Sequence, residues 1–365
     1  MKKIAHLGID YHLSFLMIGM MVEGNKEPDE MIRLRNDDKA IRKYMSKLSE
    51  KYEIRACYEA STNGYTFQRK MASWGYHCDV IAPSLIPKKP SDRRKNDFRD
   101  ARDLVQNYAA GRLSIVHLPS EQEESVRSLV RCRYAFKEAA KRVKHQINSF
   151  LLGQGQCWKR AKWTQQHRQW LLKLEMPYAY LQEVLSEHLA HLEYLETRLD
   201  HLDEEIGKLA ESDLYAPSVK KLRALKGIQT WAAMVLIAEI TDFRRFSNPR
   251  ALMAFLGLIP SEDTSGDKRK GGPITKAGNS RCRTILIEAA QHYANSPRIS
   301  ARMKEDLSQV DGPTNVIALK CVARLHKRFW ALSRKGKLRP VAITAIAREL
   351  VGFIWAIMQP QPAIA

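Results

Sequence analysis

Between Lys3 and about Pro119, short apolar runs alternate with segments of helical period, and two of the runs end in a carboxylate. The runs are IAHLGID, SFLMIGMMV, MIRLR, IRACYEA, CDVIAP and LSIVHL. Helical patterns fall between them at Asp38 to Lys51, Gly64 to Trp74 and Asp97 to Ala110. Strands before and between helices must stack as layers around one apolar interior, so the first third of the chain is predicted to be α/β.

Three strands in hairpin succession, followed by alternating helices and strands, match a ribonuclease-H-like order. No GxGxxG follows the first strand, as a dinucleotide-binding order would require. The acids sit where such a layout makes them useful. Asp10 closes the first run, Glu59 closes a later one, and Asp97 and Asp100 lie in KNDFRDARDL. Carboxylates at the ends of separate strands and on one helix can converge. At about 5 Å and an effective dielectric of about 20, each like-charged pair costs on the order of 3 kcal/mol, so a converged cluster implies a cation. In DFRDARD the acids Asp97, Asp100 and Asp103 recur at i, i+3 and i+6, so neighbouring members share a helix face. Mg²⁺ takes oxygen ligands, and paired ions of this kind serve phosphoryl transfer. Alone, the aspartate run also suits a solvated face salt-bridged to Arg93, Arg94, Arg99 and Arg102; the strand-end positions of Asp10 and Glu59 favour the metal site.

From Ser120 to about Tyr215 the strand patterns stop. Leu181, Leu185, His188, Leu192, Leu195, Leu199, Leu202, Ile206 and Leu209 advance by alternating steps of four and three, the pattern of a coiled-coil seam. At about 1.5 Å per residue the seam runs on the order of 40 Å. A helical arm is therefore predicted, packed on another helix. That helix is expected to come from a second subunit, with an internal hairpin against Glu121 to Leu152 as the alternative.

Of 365 residues, 60 are Lys or Arg against 40 Asp or Glu, a formal charge of +20 that favours a polyanionic partner. Nucleic acid fits better than a membrane, because the basic residues are spread through folded segments rather than gathered on one amphipathic face. Six cysteines lie far apart with no CxxC pair, which points to reduced core thiols rather than zinc or disulfides. Asp10 and His12 interrupt any signal-peptide core, and Arg348 and Glu349 interrupt the most apolar helix, so a cytoplasmic protein is expected.

The last part, from about Ala216, is basic and built of short helices. In VKKLRALKGIQTWAAMVLIAEI, Gly227 stands between two helices, as in a helix-hairpin-helix element whose second N-terminus holds a phosphate, or as in a plain hairpin with a glycine cap. GLIPSEDTSGDKRKGGPITKAGNSRCR reads as a basic, glycine-rich loop between helices over about Pro249 to Leu256 and Asn279 to Tyr293. Lys268, Arg269, Lys270, Lys276, Arg281 and Arg283 supply charge there, as Lys88, Lys89, Arg93 and Arg94 do in the earlier loop. Ser261, Thr264 and Ser265 offer hydroxyls, which serve either as donors to phosphate or as nucleophiles; a serine nucleophile needs a base or metal from elsewhere in space.

GID at Asp10, YEAS at Glu59 and NDxxDA at Asp97 and Asp100 resemble the RuvC-like DEDD domain of insertion-sequence recombinases, the transposases guided by an element-encoded bridge RNA. LKGIQTWAAMVLIAEI, FRRFSNPRALMAFLGLIPSEDTSG and GGPITKAGNSRCRTILIEAA resemble the C-terminal transposase domain of the same family. The resemblance covers the whole chain except the middle arm. It implies a RuvC-like DEDD domain at 1–119, a coiled-coil arm at 120–215 and a mostly helical transposase domain at 216–365. It further implies Mg²⁺ on Asp10, Glu59, Asp97 and Asp100, with Asp103 as a possible substitute, and a serine nucleophile that forms a covalent 5′-phosphoserine. The SG motif of the family falls on Ser265, with Thr264 beside it and Ser261 as the fallback. Expected partners are the element ends and target DNA, a guide RNA and further copies of the chain. A metal-dependent structure-selective nuclease and a non-catalytic nucleic-acid scaffold are the rival readings.

Overall fold

A computed structural model describes residues 2–60, 63–87, 96–265 and 268–360, and at 84, 262–265 and 268–270 the backbone alone. The chain divides into two units, Met1–Pro119 and Ser120–Ala365.

In the first unit β1 (Lys3–Tyr11), β2 (Phe15–Val22) and β3 (Glu30–Arg35) form an antiparallel meander. α1 (Asp38–Lys51) then crosses to β4 (Tyr52–Glu59) and α2 (Thr66–Ser73) to β5 (His77–Ile81), both parallel to β1, giving the order β3-β2-β1-β4-β5. The chain continues into α3 (Asp97–Ala109). Successive strand residues point to opposite faces. Ala5, Leu7 and Ile9 of β1 join Ile41, Met45 and Leu48 of α1 and Phe67 and Met71 of α2 in one core, while the alternate residues meet α3.

That second face is shaped by glycine. Gly8 and Gly19 are register partners on β1 and β2. A Cβ at Gly8 would lie 2.4 Å from the Val105 backbone nitrogen and 2.9 Å from the Ala101 oxygen, and one at Gly19 would lie 3.1 Å from that same oxygen. The two glycines form a floor on which the α3 backbone rests directly.

LSIVHL does not form the strand its pattern suggests. Ile115 makes an isolated bridge to Ile81, and the ladder is confined to the Ala82 N–H on Ser114 and the Val116 N–H on Val80. Pro119, lacking an N–H, closes the segment before a longer ladder builds.

The second unit holds α4 (Glu121–Gly153), α5 (Gln165–Leu172), α6 (Ala179–Ala210), α7 (Ala216–Arg223), α8 (Thr230–Ile240) and α9 (Pro249–Phe255). It continues through β6 (Pro260–Ser265), β7 (Lys268–Ile274), α10 (Ser280–Gln291), α11 (Ala301–Ser308), α12 (Gly312–Arg334) and α13 (Arg339–Met358). α4 opens with a capping box between Ser120 and Glu123.

The seam on α6 is filled from within the chain. Arg133 pairs with Asp203, Lys144 with Glu196, and the Phe150 ring meets His188, so position rises along α4 as it falls along α6. Leu185, Leu192 and Leu195 are buried against Ala140, Val143, Ile147 and Leu151. The expected second-subunit helix is thus replaced by α4, because the short α5 region lets the chain double back and supply its own apolar stripe.

α8 lies at the centre of the main core, with Ala232 to Ile240 all buried and α4, α6, α7 and α10 around it. α13 is long and apolar enough to span a bilayer by composition, yet Ile343, Ile346, Leu350, Val351, Ile354 and Ile357 are buried in this core. Its Glu349 is held by Arg324 and Arg328 of α12.

Candidate metal centre and nucleic-acid contacts

One face of β1 carries His6, Gly8 and Asp10 in succession, and α3 meets them in reverse order. The His6 ring stands edge-on to Tyr108, Gly8 touches Val105 and Ala101, and Asp10 reaches the first turn, where Asp97 lies. Two strand residues advance about 6.6 Å and one helical turn about 5.4 Å, so the two periods stay in step over this length. Asn96 caps α3 by accepting from the Phe98 N–H, which fixes where that first turn begins.

Asp10, His12 and Asp97 each bring one ligand atom within 4.8 Å of the others, and they alone do so as a trio among the described residues. His12 Nε2 lies 3.1 Å from an Asp10 oxygen and 3.6 Å from an Asp97 oxygen. All three are partly exposed, so a ligand reaches them from solvent. Glu59 ends β4 beside β1, where Ile9 is paired with Tyr58, which puts it at the same end of the sheet as Asp10. Asp100 is one turn before Leu104, which packs on Cys57 and Ile81. Glu59 and Asp100 are outside the close trio. Asp103 is exposed, and its carbonyl accepts from Asn107.

The two acids and the imidazole suit a divalent cation. Ligands about 2.1 Å from one ion sit about 3 Å apart when adjacent in an octahedron and about 3.4 Å apart in a tetrahedron; the 3.1 Å between His12 and Asp10 falls in that range and the 3.6 Å between His12 and Asp97 lies just above it. His12 is absent from the sequence-derived ligand set. Its signal was spacing: two residues after Asp10, it continues the same face of the chain.

In the second unit the basic loop is a β-hairpin. β6 and β7 pair antiparallel with an irregularity at Pro260 and Glu262, so Ser265 faces Lys268 at the tip. The Ser265 and Thr264 side chains and those of Lys268, Arg269 and Lys270 lie outside the described atoms, as do residues Lys88, Lys89, Arg93 and Arg94 entirely. The Ser261 hydroxyl donates to the Pro273 carbonyl.

The hairpin is anchored at its base. Gly257 and Gly278 have positive φ and pack where a Cβ would strike Ala277 and Phe255, so only glycine fits either position. Lys276 also has positive φ, and its N–H donates to Gly257. Arg283 donates to the Leu256 and Gly278 carbonyls. Asn279 caps α10 and donates to Glu239, while Arg281 lies 3.9 Å from Glu239 and over the Tyr134 ring.

Glu239 is the buried node of this region, gripped by Arg131 through two bonds of 2.8 Å. Burial pushes its carboxyl up, but the Arg131 bonds and charge, with Arg127 and Asn279, outweigh that and hold it below the usual carboxylate range. Gly227 adopts φ +88 at the turn before α8, with α10 so close that a Cβ would meet the Ala289 oxygen at 2.6 Å. Beside it Arg223, Lys226, Arg298 and Arg302 line a cavity of about 240 Å³. Burial lowers the Lys226 ammonium pKa.

Residues 219–305, which hold this turn and the hairpin, match the family described as Transposase IS116/IS110/IS902 family. The Sinorhizobium fredii protein named "Putative transposase y4qE" is 39% identical over 322 residues, covering 88% of this chain and 79% of its own. The chain belongs to this transposase family. The transposase for insertion sequence element IS1533 of Leptospira borgpetersenii is 31% identical over 348 residues, 92% of this chain and 99% of that protein. That for IS1328 of Yersinia enterocolitica is 23% identical over 293 residues, 76% of this chain and 83% of its own. The likeness to the IS1533 protein thus runs through both units and the helical arm, well beyond the segment that the family description spans.

Proposed function

We propose that this transposase breaks and rejoins DNA at the ends of its own insertion sequence through a covalent 5′-phosphoserine on Ser265, with Mg²⁺ held by Asp10, Glu59, Asp97 and Asp100. The convergence of Asp10 and Asp97 at one end of the sheet carries the metal reading. The meander followed by parallel strands supports a RuvC-like domain for the first unit. The doubled-back α4 and α6 support an arm of coiled-coil type between it and the transposase domain, with boundaries near 119 and 215.

When bound, the ion would supply charge to stabilise the anionic phosphate and lower the pKa of the attacking hydroxyl. The chain does the rest. The Ser265 oxygen bonds to phosphorus, the bond to the 3′ oxygen breaks, and the 3′ end leaves as a hydroxyl once protonated. The serine proton passes to solvent or a nearby base. Rejoining reverses these changes with a second 3′-hydroxyl as attacker, and no ATP is needed because the ester retains the phosphodiester energy. Lys268, Arg269, Lys270, Lys276, Arg281 and Arg283, the loop at Lys88, Lys89, Arg93 and Arg94, and the turn at Gly227 contact phosphates of the DNA and of a bridge RNA that selects donor and target. Dimers or tetramers of the chain hold the two DNAs together.

The deciding experiment is incubation with supercoiled DNA carrying the element ends, Mg²⁺ and co-purified RNA, followed by denaturing electrophoresis. Wild type yields a protein–DNA adduct and Ser265→Ala yields neither adduct nor cleavage. Cleavage by Ser265→Ala at the wild-type rate would instead make the protein a water-using nuclease.

A further inference from the structure

The imidazole of His12 sits inside the carboxylate cluster rather than beside it. Its Nε2 lies within reach of both Asp10 and Asp97, at the place where a cation shared by the two acids would find a third donor. The surrounding chain holds the ring there. The His12 N–H donates to the Phe15 carbonyl and the His12 carbonyl accepts from Asn36, closing the turn between β1 and β2. The ring stacks on Phe15 at 4.5 Å and 23°, and Arg33 lies 3.9 Å from the centre of that same phenyl ring. The stack on Phe15 restricts the partly exposed ring in the orientation that points Nε2 at the two acids.

We infer that His12 Nε2 is a metal ligand, and that Asp10, His12 and Asp97 form a mixed nitrogen–oxygen site that takes Mn²⁺ or a similar transition ion in preference to Mg²⁺. This rests on the metal reading above and sharpens it. Imidazole nitrogen suits transition ions, while Mg²⁺ keeps to oxygen and retains its waters. Glu59 and Asp100, outside the trio, are left to complete the shell or to hold a second, all-oxygen ion. Nε2 faces both acids and is the ring nitrogen that would hold a shared ion, which would leave Nδ1 to carry the ring proton.

The test uses the full chain, MnCl₂ and MgCl₂, with free Mn²⁺ followed by electron paramagnetic resonance. Wild type is expected to bind Mn²⁺ at least about tenfold more tightly than Mg²⁺. Its frozen Mn²⁺ complex should show spin-echo modulation from a directly bound imidazole nitrogen. His12→Ala should lose that modulation and about tenfold in Mn²⁺ affinity, with Mg²⁺ affinity changed less than about threefold. Bound Mn²⁺ without nitrogen modulation in wild type overturns the inference whatever the variant does, and so does a His12→Ala protein that binds Mn²⁺ as well or better. Those results leave the carboxylate site standing. Wild type that binds neither ion, or Asp10→Asn that binds both normally, removes the metal reading itself and the inference with it.

Discussion

Gly8 lies against Val105 so closely that a single added methyl would stand 2.4 Å from the Val105 backbone nitrogen. Because Asp10 follows Gly8 on the same face of β1, and Asp97 begins the helix that rests on it, this close approach sets the distance between the two acids.

Gly8→Ala is therefore expected to push α3 off the sheet. The cost is about 2–3 kcal/mol by denaturant unfolding of the full chain, and divalent-ion binding weakens with it. A variant with wild-type stability and wild-type Mn²⁺ affinity would show that the backbone approach does not position the acids.

Among the acids, geometry ranks the effects. Asp10→Asn and Asp97→Asn should each lower strand cleavage by about 100-fold or more, a loss of the size seen when a group stabilising transition-state charge is removed. Asp103→Asn, exposed and turned from the cluster, should change it by less than about threefold. A cleavage assay across the three variants, with Asp100→Asn for comparison, checks the order.

Glu239 gives the second unit an acid-sensitive joint. Its folded pKa is lowered, so the ionised form is favoured in the native state and its contribution is complete above the ordinary glutamate value of about 4.3. That contribution fades as pH falls through the lowered value, so stability should rise with pH across this interval. Removing one partner with Arg131→Ala leaves a buried, underpaired charge and should cost about 3–5 kcal/mol. Glu239→Gln should flatten the acid side of the melting-temperature profile.

The seam on α6 makes its own prediction. Leu195 is buried against α4 of the same chain, so Leu195→Ala should destabilise the arm by about 2–5 kcal/mol and reduce helical circular dichroism on mild heating. Loss of sedimentation mass with no change in stability would place the seam between subunits instead.

Charge on the β6–β7 hairpin should be read through salt. Replacing Lys268, Arg269 and Lys270 with Gln should reduce the slope of log affinity against log salt by about 0.9 for each phosphate no longer neutralised, measured by DNA binding at several ionic strengths.

Much of the scaffold is legible from residue order alone. The period-two and period-3.6 patterns mark the strands and helices of the first unit, with α1 at Asp38–Lys51 as the pattern predicts, because local steric preference and burial of one face act along the chain itself. The carboxylates at Asp10 and Asp97 are legible for the same reason: strand ends and a capped first turn are local features. The β6–β7 hairpin is not, since KRKGGPI carries no alternation of apolar and polar residues and pairs through backbone groups that any sequence possesses. LSIVHL fails in the opposite sense, having the pattern of a strand but too little ladder to become one.

Sequence by itself therefore determined which residue types stand at the strand ends, that helices begin at Asp38 and Asp97 and that the chain carries a surplus of positive charge. Only the tertiary structure decided that α4 rather than another subunit fills the α6 seam, that two glycines admit α3 to the sheet, and that His12 joins the acids. Those three depend on distances between segments far apart in the chain, and a linear pattern records which faces are apolar or charged but not which other face each one meets.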